Sequence, residues 1–377
     1  MSRLRVLLLC LALLLPAATA RSAEGERWFA VAQSGTADEA IGIALAHRWW
    51  FDVVGVAAAE DGRYVTIAGP IAGQASDADA LADLRATGEW PAALAVIDAA
   101  ALGPFVWRLP DSAAIDFEYR YGDEGRLQGE HFTIAMSVAL DPADAVPRPV
   151  LSLLEGGEVV FASTMADSGT NAAFARIRIA WLDRAAPMPQ ILFSAYTMGA
   201  HCCTVSRVLT RGADGWRAVE AGWLDGDEGY RLEDIDGDGE HEMIARDDRF
   251  LNRFAAYARS WTPVRIFKLA GDRLVDASEQ QPYARAHRRE LLALEHRAQL
   301  DPDLWREAGF VAGWMALKSR LGEREKAWQR VLADAAVDTS RQVSTASGND
   351  LSVPKQRSRP SIFPNALKAL LQQLGYW

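Results

Sequence analysis

Two short stretches of this sequence gather side chains that can do chemistry. The first is RLEDIDGDGEHEMIARDD, residues 231–248, in which Asp234, Asp236 and Asp238 alternate with Ile235 and Gly237 ahead of Glu240 and Glu242. Carboxylates crowded this closely repel one another, and a hard cation is the natural relief. With Asp234 at the first position of a calcium loop, Asp236 and Asp238 fall at the third and fifth. Gly239 supplies the sharp turn at the sixth, Glu240 offers its backbone carbonyl at the seventh, and Glu242 falls at the ninth. The twelfth position is Ala245 rather than Glu, so the loop is not an EF-hand. The expectation is a structural Ca2+ held by Asp234, Asp236, Asp238, Glu240 and Glu242. The plainer reading of the same residues is a solvated acidic hairpin turn.

The second stretch is GAHCCTV, residues 199–205, with Cys202 and Cys203 adjacent and His201 beside them. Neighbours on a regular strand point to opposite faces, and their Cα atoms lie about 3.8 Å apart, short of the roughly 4.4–6.8 Å of ordinary disulfides. A bond between the two therefore requires a turn in place of the strand, which Gly199 permits. Three readings stay open: a vicinal Cys202–Cys203 disulfide, two unpaired thiols with at least one in the core, or a soft-metal site of His201, Cys202 and Cys203.

Catalytic constellations are otherwise missing from the sequence. It contains no G-x-S-x-G, H-E-x-x-H, C-x-x-C or phosphate-cradling glycine loop. His47, His131, His201, His241, His287 and His296 are scattered, and the carboxylates of Asp247 and Asp248 are adjacent without the fixed separation that a glycosidase needs. No catalytic residue is assigned.

The elements that must position these residues fall into three regions. Ahead of them, residues 1–20 read as a secretory signal peptide: Arg3 and Arg5, an apolar run from Val6 to Leu15, Pro16, then Ala18 and Ala20. That run is too short to span a bilayer, and no later stretch reaches the length of a transmembrane anchor. The expected location is periplasmic or secreted, where the two cysteines left after removal of Cys10 would be oxidised. The net charge of −10 argues against nucleic acid or an anionic membrane as partner.

Residues 26–108 alternate strand and helix in the order β-α-β-β-α-β. Thr36 stands three residues before Glu39 and Ser76 three before Asp79, each marking a helix start. Asp61-Gly62 is an acidic turn between two strands. The segment RYVTIAGPIAGQASDADALADLRA, residues 63–86, with Tyr64, Val65, Ile67, Gly69 and Pro70, resembles the SPOR (sporulation-related repeat) family. The resemblance implies a sheet that binds peptidoglycan glycan strands, although Gln33 stands late in the first strand with no aromatic after it. The plainer reading is a ferredoxin-like domain for packing or for contact with an envelope protein.

Residues 111–277 hold period-two segments separated by Gly, Asp and Pro turns, which predicts an all-β region, either partly propeller-like or an open β assembly. Its acidic loop resembles the calcium loops of FG-GAP, integrin-like propeller blades. A second copy is suggested by aligning Ile191-Leu192 with Met243-Ile244, where only Asp183 stands near a ligand position. Residues 278–377 read as helical, with a helix opened by Asp301-Pro302, others over REKAWQRVLADA and PNALKALLQQLGYW, and a disordered linker over about 338–362. The fold class is thus α+β and multidomain. The function expected is a non-enzymatic envelope-binding protein with a SPOR-like module and a calcium-stabilised β domain. The alternatives are a periplasmic hydrolase with its site on the β domain, or the soft-metal binder.

Overall fold

The computed structural model describes residues 27–71, 76–98, 101–111, 115–118, 125–128, 132–140, 146–166, 169–199, 201–226, 229–345 and 363–377. The signal peptide expected over 1–20 and His131 lie outside them, as do residues 346–362 of the expected linker.

The first region follows the expected order: β1 (Arg27–Ser34), α1 (Ala37–Ala46), β2 (Val53–Ala58), β3 (Tyr64–Gly69), α2 (Asp77–Ala86) and β4 (Ala95–Asp98). A further strand, β5 (Phe105–Leu109), pairs with β2 and completes an antiparallel sheet ordered β4-β1-β3-β2-β5. Both helix starts are capped as the sequence predicts. Thr36 Oγ1 accepts the Glu39 amide at 3.3 Å, and Ser76 Oγ accepts the Asp79 amide at 3.2 Å. Period-two alternation sends Phe29, Val31, Val54 and Val56 against Ile41, Ala44 and Leu45 of α1. The opposite face is also packed: Trp28 and Ile67 are buried there against Val65, Leu102 and Phe105.

The central region is three antiparallel sheets stacked face to face, with no closed barrel. The first contains β7 (Gly125–Gln128), β8 (Thr133–Leu140), β9 (Pro147–Glu155) and β10 (Glu158–Thr164). The second contains β6 (Ile115–Glu118), β11 (Ala175–Ala180), β12 (Gln190–Tyr196), β13 (Cys202–Gly212) and β14 (Gly215–Asp225). The third contains β15 (Arg231–Glu233), β16 (Glu242–Arg246), β17 (Val264–Ala270) and β18 (Arg273–Asp276). The middle sheet is buried on both faces. Ile177, Phe193 and Val205 meet Met136, Leu151 and Leu153 of the first sheet. Leu192, Val208 and Val219 meet Leu232, Met243 and Leu269 of the third. Neighbours such as Ile191 and Leu192 therefore serve different cores, and the strand reads as a continuous apolar run.

The far face of the third sheet, with Ile235, Ile244 and Ile266, packs on Tyr283 and Ala286 at the start of α3 (Ala284–Leu300). Three helices follow: α4 (Ala308–Arg320), α5 (Arg324–Thr345) and α6 (Phe363–Gln373). Their core includes Phe310, Met315, Leu317, Leu367 and Leu371. Two expectations shift here. Asp301-Pro302 opens a short 3-10 turn, Pro302–Arg306, and α4 starts at Ala308. Residues 338–345, read as linker, continue α5, because this stretch has neither Pro nor Gly to stop a helix.

α3 joins the regions. It lies along α1 so closely that a Cβ on Gly42 would come within 2.6 Å of the Leu292 Cβ. Beside that contact is a buried ionic network: Arg289 reaches Glu233 at 2.7 Å and Asp38 at 2.9 Å, and Arg231 reaches Glu290 at 2.9 Å. Trp107 Nε1 donates to Glu233 at 3.0 Å. Strand β5, helix α1, strand β15 and helix α3 thus share one set of charges, each paired as a buried charge must be.

Candidate functional site

The acidic loop joins β15 to β16. Gly237 and Gly239 take positive φ of 79° and 83°, the left-handed conformation that such a turn demands. The loop folds its amides onto its own carboxylates: Asp234 accepts from the Gly237 and Gly239 amides at 2.8 and 3.0 Å, and Asp238 accepts from the Glu240 amide at 2.7 Å. Asp234, Asp236 and Glu242 converge, with one ligand oxygen from each within 4.8 Å of the others. Asp238 and Glu240 stand outside that group and face Lys268 of β17, whose ammonium lies 3.5 Å from Asp238, 3.2 Å from Glu240 and 3.6 Å from Glu242. Glu242 is fully buried. Burial pushes its carboxyl up to about 7, with the Ile235 amide pulling the other way and Asp236 adding to the rise. Burial disfavours the Lys268 charge, yet Tyr283, Glu240 and Glu242 outweigh it and hold the group well above the ordinary lysine range. Three hard carboxylates at calcium spacing fit Ca2+ in donor chemistry; Lys268 balances the outer pair.

The neighbouring hairpin β11–β12 holds the residues that the 52-residue alignment sets against the acidic loop. There Gln190 stands where Glu242 stands, and it too is fully buried. Its Oε1 accepts from the Leu182 and Asp183 amides at 2.7 and 2.9 Å, while Nε2 donates to the Asp183 and Met188 carbonyls at 3.1 and 2.9 Å. Glu242 repeats half of this pattern, accepting from the Ile235 amide at 3.0 Å. The two loops touch: the Arg184 amide donates to Glu240 at 2.8 Å, and its Nε to the Gly239 carbonyl at 3.0 Å.

At the start of β13, Cys202 and Cys203 are joined as a vicinal disulfide. The β13–β14 register slips between Cys202 and Thr204, so this point is not the regular strand that would hold the sulfurs apart. Cys202 is exposed and Cys203 is buried. His201 is not gathered with them, its ring stacking on Tyr257 at 4.2 Å. The group close enough to share a ligand with both sulfurs is the Asp225 carboxylate.

A third feature was not singled out from the sequence. Trp49 and Trp50, directly after α1, are 57% and 41% exposed. They line a cleft of about 510 Å³ with Trp261, Arg246, Arg297 and Glu89, closed on one side by α3. Trp50 is braced edge-on by buried Trp90 at 6.1 Å, and Trp90 stacks on His47 at 4.2 Å. His47 Nε2 lies 3.2 Å from His296 Nε2. Burial lowers both rings, His47 to about 3 and His296 to about 4, with Arg297 lowering each further. In the cleft Glu89 pairs with Arg297 at 2.8 Å, and Glu290 is held low, against the cost of burial, by Arg231 and Arg48. A carboxylate held low by arginines stays charged and is poorly suited to donate a proton.

The remaining candidates are structural. Asp247 accepts from Arg249 at 2.6 Å and from the Tyr376 hydroxyl at 2.9 Å, tying the chain's last turn to the β region, while Asp248 accepts the Asp225 amide at 2.8 Å. His241 lies 3.4 Å from Asp111, which raises its pKa against the effect of burial. His287 faces the Ser278 carbonyl at 2.8 Å. No helix among the described residues is long and apolar enough to cross a membrane.

Comparison with known proteins finds similarity without an assigned activity. Residues 284–375, which begin at the first turn of α3, match the model of the sll0997 C-terminal domain family. The chain is 38% identical over 360 residues, 93% of its length, to the uncharacterized protein y4bJ of Sinorhizobium fredii. It is 30% identical over 219 residues, 57% of its length, to the probable thylakoid lumen protein sll0997 of Synechocystis. It spans 56% and 64% of the lengths of these two relatives. No solved structure matches it.

Proposed function

We propose that this is an exported, non-enzymatic binding protein of the periplasm or outer envelope. In this reading it holds peptidoglycan glycan in the Trp49/Trp50 cleft, and its β region is stiffened by Ca2+ at Asp234, Asp236 and Glu242. The observation that carries the reading is the cleft itself. Two exposed tryptophans on a braced support, with arginine and glutamate at hand, suit the apolar faces and hydroxyls of sugar rings. The SPOR-like order of the first region supports a cell-wall ligand, and the cleft presents exposed tryptophans where Trp28 of the sheet is buried. The signal-peptide pattern and the lumenal name of the Synechocystis relative support export. Ca2+, when bound, would supply a counter-charge that joins the loop to β16, a structural role.

The test is co-sedimentation with purified sacculi, with and without Ca2+. The protein is expected to pellet with the sacculi, and Trp49→Ala with Trp50→Ala to lower retention at least about tenfold, as loss of aromatic anchors does. Retention unchanged by the double substitution would remove the cleft from the reading. No retention of the unaltered protein would remove the glycan.

A further inference from the structure

We propose that the Cys202–Cys203 disulfide is a redox-active exchange site, reduced in the folded protein by an external dithiol that attacks Cys202. It is independent of the cleft and of the acidic loop.

Three observations carry it. First, the bond links residues one apart in sequence. A disulfide stabilises a fold mainly by closing a loop in the unfolded chain, and the effect grows with loop length; a bridge across a single peptide closes none, so it is no staple. Second, the local backbone is held without the sulfurs. Thr197 donates from its amide to the Cys203 carbonyl at 2.9 Å and from Oγ1 to the Cys202 carbonyl at 2.8 Å, and it accepts the Cys203 amide at 2.7 Å. The Gly226 amide donates to the His201 carbonyl at 2.7 Å. None of these bonds uses a sulfur atom, so reduction removes none of them directly. Third, access is one-sided. Cys202 is exposed whereas Cys203 is only 7% exposed, which makes the Cys202 sulfur the point of attack and Cys203 the leaving group. Met198, in the loop that leads into β13, is exposed and offers an apolar side chain to an approaching dithiol protein.

A thiolate of the dithiol attacks Cys202 Sγ, forming a mixed disulfide and breaking the Cys202–Cys203 bond. Cys203 departs as thiolate and takes a proton from solvent. The second thiolate of the reductant then attacks its partner sulfur in the mixed disulfide, releasing Cys202, which is protonated in turn. The protein gains two electrons and two protons, and the dithiol becomes a disulfide.

The test treats the folded full-length protein with dithiothreitol, alkylates it with iodoacetamide and maps the peptides, which separates this pair from Cys10. Both Cys202 and Cys203 are expected to be labelled only after reductant, with the melting temperature moving by less than about 3 °C, since no loop is opened. With glutathione disulfide, Cys203→Ser is expected to form a mixed disulfide at Cys202 at least about tenfold faster than Cys202→Ser forms one at Cys203, following exposure. The proposal is overturned if the bond resists reductant until the protein unfolds, if reduction melts the fold, if both cysteines are labelled without reductant, or if the two serine variants react alike.

Discussion

In the β11–β12 hairpin a neutral carboxamide holds the loop; in the β15–β16 hairpin a carboxylate occupies the same place. Gln190 can accept two amides with its oxygen and donate to two carbonyls with its nitrogen, so every polar group around it is paired within the hairpin. Glu242 accepts from the Ile235 amide and from the Tyr283 hydroxyl at 3.2 Å, and it has no N–H to turn toward the loop's oxygens. Instead it meets Asp234 and Asp236, a cluster that needs positive charge. The acidic hairpin therefore lacks the two amide hydrogens that close the β11–β12 hairpin, and Lys268, within 3.6 Å of Asp238, Glu240 and Glu242, brings positive charge to its carboxylates.

Substitutions and conditions can break or sharpen this contrast. The largest effect is expected away from both loops and fixes the background. The lowered rings of His47 and His296 contribute stability that is fully present above their unfolded value near 6.5 and is lost as pH falls toward their folded values of about 3 and 4 respectively. In urea unfolding between pH 7 and pH 5 the two rings are expected to contribute a loss on the order of 4 kcal/mol, read as the difference between the unaltered protein and His47→Gln with His296→Gln, because Glu242, pushed up to about 7, changes stability in the opposite direction over the same range. Parallel profiles for the unaltered protein and the double variant would contradict the burial of the rings in their neutral form.

Next in size is Gln190→Ala, which strips four buried hydrogen bonds from the neutral loop and is expected to cost about 3 kcal/mol or more whether Ca2+ is present or absent. A cost that Ca2+ relieves would mean that the two loops are not separate devices. Arg184→Ala removes the side-chain bond to the Gly239 carbonyl, in an exposed setting, and is expected to cost no more than about 1 kcal/mol by the same urea measurement. A larger loss would make the contact between the loops part of the acidic loop's support.

Much of this was legible in the sequence. Thr36 and Ser76 announced the caps, Asp61-Gly62 a turn, and alternation the sheets, because each depends on neighbours within a few residues. The turn of the acidic loop was legible for the same reason, its Gly237 and Gly239 standing among the aspartates. Gln190 was passed over because a search for ligand carboxylates ignores an amide, although the offset places it opposite Glu242. Helix α3 gave less away. The burial of its Arg289, Glu290 and His287 depends on Asp38, Glu233, Arg231 and Ser278, which no local pattern in the helix announces. The adjacency of Trp49 and Trp50 after an amphipathic helix was a signal for the cleft, but its other wall comes from Arg246, Trp261 and α3, which only the fold brings near.

The central claim, that the acidic loop requires a cation where its sister uses an amide, is tested most directly by Ca2+ titration of thermal stability in the unaltered protein and in Glu242→Gln. The account predicts that saturating Ca2+ raises the stability of the unaltered protein by about 2–3 kcal/mol at roughly a hundredfold over the dissociation constant. It also predicts that Glu242→Gln matches or exceeds the metal-free protein in stability and responds to Ca2+ far less. An unaltered protein indifferent to Ca2+, or a Glu242→Gln variant that still responds in full, would contradict it.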